Sequence, residues 1–239
     1  MNQLISNGMN QTYVIAAAVI ISGGLIASSL ILSGGPSPTA TGGHGGDGFG
    51  NNLSPTAENV REVTNDDHIR GDATAQISIV EYSDYECPFC ARLHPTLTRV
   101  IEERGDEVNW VYRHFPLSNI HHRALGASVA AECVAQLGGN DAFWTFSDEL
   151  FAKQRALGED LYKELATDLG IGAARFDECL DDNNHAERIA ADRQNAIDAG
   201  GRGTPFVVVV NGSGQVFPFS GALPYENIMQ IINAAITSS

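Results

Sequence analysis

Apolar side chains in the first part of the chain gather into one unbroken run, Tyr13 to Leu32 (YVIAAAVIISGGLIASSLIL), 20 residues without a charge. A helix of that length spans a hydrocarbon core roughly 30 Å thick, so the run predicts a membrane anchor. A cleaved signal peptide fits less well. The N-terminal tail, residues 1–12 (MNQLISNGMNQT), lacks Lys and Arg, and the apolar run exceeds a typical signal-peptide core. Residues 33–64 are rich in Gly, Pro, Ser, Thr and Asn, too poor in apolar groups to bury a core, and predict a flexible linker. As a random coil it reaches on the order of 30 Å.

From residue 65 to 239 the pattern becomes that of a folded domain. Gln76–Tyr82 (QISIVEY), Val108–Phe115 (VNWVYRHF), Phe206–Val210 (FVVVV) and Gln215–Phe219 carry the β-branched and aromatic density of strands. After the first strand, Pro88 suits the first position of a helix that Gly105 stops, with Pro95 predicted to kink it. Between the second and third strands, about 119–200, the periodicity is helical throughout, punctuated by Gly138, Gly170 and Gly200. A last helix is predicted over 224–236. The result is an α/β domain with a helical block inserted between sheet elements.

Composition narrows the function. Fourteen Lys+Arg against 29 Asp+Glu give a formal net charge of -15, an excess that repels phosphate backbones and argues against nucleic-acid binding. The first Lys or Arg is Arg61, so flanking charge assigns no membrane orientation. Four cysteines remain: Cys87, Cys90, Cys133 and Cys179. Cys87-Pro88-Phe89-Cys90 sits between a strand and a helix, which places Cys87 at a helix N-terminus, where free N–H groups and the dipole stabilise a thiolate. Half of a structural zinc site is the competing reading, but no second CxxC or paired-histidine ladder accompanies it, and no metal is expected.

Four motifs share this order of elements: Glu81-Tyr-Ser-Asp-Tyr-Glu-Cys87-Pro-Phe-Cys90 with Pro95 beyond it, Tyr112-Arg-His-Phe-Pro-Leu117, Phe143-Trp144, and Gly203-Thr204-Pro205-Phe206. Together they resemble the DsbA-like branch of the thioredoxin superfamily, in which a helical domain is inserted into a thioredoxin fold. The resemblance covers most of residues 66–237. It implies a catalytic Cys87 and Cys90, a buried acid at Glu81 that relays the proton of the inner cysteine, and a cis Pro205 beside the cysteine pair. It also implies that Thr204 pairs its main chain with extended substrate. For Glu81, a solvated strand-edge carboxylate is the alternative. Phe89 supplies no charge where the most oxidising members of that branch carry His.

In the exchange that follows, a client thiolate attacks Cys87 and releases Cys90, and a second client thiolate resolves the mixed disulfide. Cys133 and Cys179 lie in separate helices of the insert. Their even number in an extracytoplasmic domain predicts a structural disulfide, with two small buried hydrophobes as the alternative. His114, His121 and His122 read as surface or capping residues, and His44 as a linker residue. Phe143, Trp144, Phe146 and Phe151 read as insert core. Leu117 and its loop are candidates for a substrate groove.

The expectation is therefore an extracytoplasmic thiol:disulfide oxidoreductase, held to the cell membrane by one N-terminal helix, that forms disulfides in exported proteins. Its partners would be reduced or unfolded exported chains and, as the resemblance implies, a quinone-linked membrane protein that re-oxidises it. No cofactor is expected. A reductase or isomerase on the same scaffold, and a non-catalytic binding module, are the alternatives.

Overall fold

The computed structural model describes residue 57, residues 59–182 and residues 185–239. The expected tail 1–12, membrane helix 13–32 and most of the linker 33–64 lie outside the described residues. Among the described residues, no helix is long and apolar enough to cross a membrane.

Five strands and six helices follow in the order β1 (His68–Arg70), β2 (Ile77–Ser83), α1 (Pro88–Arg104), β3 (Val108–His114), α2 (Ala124–Ala152), α3 (Glu159–Asp168), α4 (Ala173–Asp181), α5 (Ala186–Asp198), β4 (Phe206–Val210), β5 (Val216–Ser220) and α6 (Tyr225–Thr237). The sheet order is β1-β3-β2-β4-β5. β2 and β3 run parallel, joined by α1 as a parallel pair requires, and the other pairings are antiparallel. The expected strands are present. The short edge strand β1 is an addition: its three residues are too few for alternation to show, and its pairing with β3 stabilises it.

Burial on both faces explains the dense apolar runs in the central strands. Alternate residues Ile77 and Ile79 of β2, Trp110 and Tyr112 of β3, and Val207 and Val209 of β4 join the core under α1, α2 and α6. Val80, Tyr82, Val111, Phe206 and Val208 turn the other way, toward Ala196 and Ala199 at the end of α5.

The sequence predicts two helices around Gly138, whereas α2 runs from Ala124 to Ala152 with one break, at Gly139 (φ 84°, ψ -177°). Only glycine adopts that conformation without a Cβ penalty, so the helix changes direction there. α1 continues through Pro95 to Arg104.

The linker assigned to 33–64 ends earlier than its composition suggests. Ala57 is buried in the α5-side core, and Arg61 pairs with Asp67 (3.3 Å) and Asp192 (2.9 Å). Arg113, fully buried in β3, binds both Asp67 carboxylate oxygens and donates to the carbonyls of Arg61 and Glu62. A segment too polar to make a core is thus fixed by ion pairs to one that has a core.

Candidate active site

The end of β2 delivers the chain into a tight loop, 84–87, and then into α1. Cys87 is the N-cap, with extended backbone (φ -74°, ψ 122°), and Pro88 opens the first turn. The helical insert holds this loop from several sides. Asp84, fully buried, accepts from the N–H groups of Glu86 (2.7 Å) and Leu117 (2.8 Å) and meets His121 Nδ1 at 2.8 Å. Gln154 donates its side-chain amide to the carbonyls of Tyr85 (2.8 Å) and Cys87 (2.9 Å). Tyr85 Oη lies 2.7 Å from Ser147 Oγ, and Arg123 Nε donates to Glu86 (2.9 Å). Apart from the Glu86 N–H within the loop, none of these partners was legible in the sequence, because each lies tens of residues from the residue it binds.

β4 runs antiparallel to β2, with Phe206 opposite Tyr82, and so brings Thr204 and Pro205 beside the cysteines. The Thr204-Pro205 bond is cis. Gly201 permits the approach: a Cβ there would stand 2.6 Å from the Phe206 ring. Both active-site cysteines are free thiols. Cys87 Sγ–H donates to the Thr204 carbonyl at 3.3 Å.

The two thiols have opposite acidities. Cys87 is lowered to about 5, first by a hydrogen bond from the Cys90 thiol, then by the Thr204 hydroxyl and by the N–H groups of Cys90 and Phe89, against the cost of burial. The buried Thr204 hydroxyl has no other partner, so it is free to turn its proton toward the thiolate. Cys90, with no exposed surface, is pushed well above the ordinary thiol range by burial and by the hydrogen bond it gives to Cys87. Cys87 itself is only 3% exposed, and Phe89 beside it is 50% exposed.

Glu81 is the residue of β2 that continues the Ile77, Ile79 alternation, and its side chain therefore enters the core under α1. The solvated alternative does not hold: Glu81 has no exposed surface. It accepts from Ser83 Oγ (2.7 Å) and Trp110 Nε1 (3.0 Å). Burial raises its carboxyl to about 7 in spite of those bonds, and negative charge on Cys87 adds to the rise. The carboxyl is thus poised to gain or lose a proton near neutrality.

Cys133 of α2 and Cys179 of α4 are joined by a disulfide, with Cα atoms 5.8 Å apart. His114 departs from the surface role its position suggests. It is fully buried, and its Nε2 meets Glu132 Oε1 at 2.9 Å while His68 Nε2 meets the same oxygen at 2.8 Å. Burial opposes the charged form of His68, and bonds from both histidines hold the Glu132 carboxyl far below its usual range despite its burial. Among the described residues, His68, His114 and Glu132 converge as metal ligands would, but Arg188 Nε lies 2.8 Å from the shared oxygen and already supplies positive charge. A second grouping, Cys133, Cys179 and His185, has its sulfurs committed to the disulfide.

Residues 63–234 match the family model described as thioredoxin. The crystal structure of Pseudomonas aeruginosa DsbA2 is 28% identical, superposes with a TM-score of 0.61 and covers 72% of this chain and 96% of that one. Wolbachia pipientis alpha-DsbA1 (TM-score 0.65, 20% identity, 77% of this chain and 96% of that one) and oxidised Bacillus subtilis BdbD (0.62, 21%, 77% and 96%) share the fold. Among curated proteins, Na(+)/H(+) antiporter NhaA 3 of Salinispora tropica is 34% identical over 173 residues, and NhaA 1 of Mycobacterium sp. (strain KMS) is 38% identical over 161. These matches take in 72% and 65% of this chain but 24% and 25% of those proteins, so the chain spans about a quarter of the length of the curated relatives it matches.

Proposed function

We propose, from the premise that the chain belongs to the thioredoxin family, that it is a protein thiol:disulfide oxidoreductase working through Cys87 and Cys90 in the oxidising direction. The similarity to DsbA proteins supports thiol–disulfide exchange at the level of the family. The observation that carries the direction is the contrast within the cysteine pair: Cys87 is lowered to about 5 while Cys90 is raised. A site that stabilises the Cys87 thiolate stabilises the reduced enzyme, and so makes its disulfide the stronger oxidant.

A client thiolate attacks Sγ of Cys87 in the oxidised enzyme, the Cys87–Cys90 bond breaks, and Cys90 leaves as a thiolate. The Glu81 carboxyl gives that buried thiolate a proton. A second client thiolate attacks the client sulfur of the mixed disulfide and releases Cys87 as a thiolate, which Thr204 and the N–H groups at the start of α1 receive. Two electrons pass from client to enzyme, and the client gains a disulfide. In re-oxidation the Glu81 carboxylate takes the Cys90 proton back.

The Cys133–Cys179 bridge and the apolar run at 13–32 favour an extracytoplasmic domain tethered to the cell membrane by a single helix. Its clients are then reduced exported proteins, and a quinone-linked membrane protein re-oxidises it. Reductase chemistry is the second reading, favoured by the uncharged Phe89 between the cysteines.

Equilibration of the Cys87/Cys90 pair with glutathione decides between them. A potential near about -120 mV is expected of a strong oxidase, and one near about -270 mV would assign a reductase.

A further inference from the structure

A groove lined by apolar side chains and two arginines lies at the end of the helical insert that carries the 115–123 loop. It lies between the 115–123 loop, the start of α2 and one side of α5, and has a volume of about 630 Å³. Leu117, Ile120, Leu125 and Ile189 give it an apolar floor and walls, and Arg193 and Arg202 line it as its charged groups. Ile120 and Leu125 are 68% and 45% exposed, two of the four large hydrophobic side chains most open to solvent among the described residues. Apolar surface left open in this way marks a contact surface.

The charge is the second observation. This chain has 29 acidic residues and 14 basic ones, and among the described residues nine of the basic ones are engaged in ion pairs. Arg193 and Arg202 are not among them, although acidic side chains abound. No carboxylate lines the groove among the described residues. A chain with a net charge of -15 therefore presents around an apolar trough two guanidinium groups that have no carboxylate partner among the described residues.

The position links the groove to catalysis. Arg202 is two residues before Thr204, whose carbonyl accepts from Cys87, so its Cα lies within about 8 Å of the Thr204 Cα by chain geometry. Leu117, on the opposite wall, is tied through its N–H to Asp84 in the loop before Cys87. The groove therefore borders the segment that leads into Thr204.

We infer that this groove selects client segments that carry an acidic side chain next to a large apolar one, within a few residues of the reacting cysteine. The apolar side chain enters between Ile120, Leu125 and Ile189, and the carboxylate meets Arg193 and Arg202. The inference rests on the proposed exchange reaction for its purpose, and on the groove alone for its binding.

Two measurements on the full-length chain separate these levels. The first uses a fluorescently labelled peptide with Ser in place of the reacting Cys, carrying Leu and Asp beside it, and a partner peptide with Lys in place of Asp. Anisotropy should show the Asp peptide binding about tenfold more tightly at low salt, and added salt should erase the difference. Charge reversal by Arg193→Glu with Arg202→Glu should abolish or invert the preference, with circular dichroism confirming the fold. Equal binding of the two peptides, or a preference that survives the double reversal, overturns the inference. A self-associated protein that binds neither peptide until it is diluted to monomer would assign the groove to a second copy, and would overturn it equally. The second measurement follows oxidation of the matching Cys-containing peptides and of dithiothreitol. Failure to oxidise dithiothreitol would refute the exchange reaction and leave the binding result standing.

Discussion

The sulfur of Cys87 lies 3.3 Å from the carbonyl oxygen of Thr204, a residue 117 positions away in sequence. Cys87 begins the helix that follows the central strand β2, and Thr204 precedes the strand β4 that pairs with β2. The sheet thus sets the sulfur at the start of α1 against the main chain that leads into β4.

The acidity of Cys87 gives the first prediction. In the reduced protein, thiolate absorbance should appear with a midpoint near pH 5, and alkylation should modify Cys87 and spare Cys90. The folded-state pKa is below that of the unfolded chain, so the reduced form gains stability as pH rises above 5. The melting temperature of the reduced form should therefore exceed that of the oxidised form at neutral pH, with the gap closing toward pH 5. A midpoint at the ordinary cysteine value would remove the thermodynamic basis for an oxidase.

Glu81→Gln should divide activity from stability. Without a carboxyl to exchange protons with Cys90, release and recapture of the inner thiol should slow on the order of a hundredfold. The carboxyl is raised from 4.5 to about 7, so its stabilising contribution is complete below pH 4.5 and lost as pH rises through 7. Gln carries no such penalty, and the variant should be more stable than the wild type above pH 7 by up to about 3 kcal/mol. An unaltered exchange rate across that range would remove Glu81 from the proton path.

The bridge between Cys133 and Cys179 closes a loop with a sequence separation of 46. Replacing both by Ser should cost roughly 4 kcal/mol in the chain-entropy view of disulfides. Urea unfolding of the variant against the wild type measures it. Alkylation of the oxidised, denatured wild type should find no free thiol among the four cysteines.

The His68, Glu132 and His114 network should make the domain acid-sensitive before most of its carboxylates titrate. His68 is held below 6.5 in the folded state, so stability falls as pH drops below 6.5, and the depressed Glu132 carboxyl extends the loss below 4.5. Glu132→Gln should cost about 3–5 kcal/mol, because it removes the negative charge that Arg188 and two buried imidazoles share. A urea midpoint that does not move between neutral pH and pH 5 would contradict this reading of the network.

The parts of this structure that local chemistry determines were readable along the chain. The run FVVVV is β4 residue for residue, and Pro88 marks the first turn of α1. The acid at Glu81 was visible only as one of two possibilities, since its burial depends on which face of β2 lies under α1. What escaped notice depends on contacts between distant segments. His68 and Glu132 are 64 residues apart, and Gln154 is 67 from the Cys87 carbonyl it binds. Gly138 reads in the sequence as the end of one helix, though the chain bends at Gly139 and resumes as helix. A three-residue strand such as β1 has no period to detect.

Arg113 has a practical consequence for anyone excising this domain. Two of its hydrogen bonds end on the carbonyls of Arg61 and Glu62, and Asn195 of α5 donates to the carbonyl of Asn59. Truncation at Asp66, where the dense apolar pattern begins, would strip a buried guanidinium of acceptors it cannot replace. Expression boundaries should therefore start no later than residue 57, and a shorter version that aggregates would be reporting a missing anchor point rather than a faulty fold.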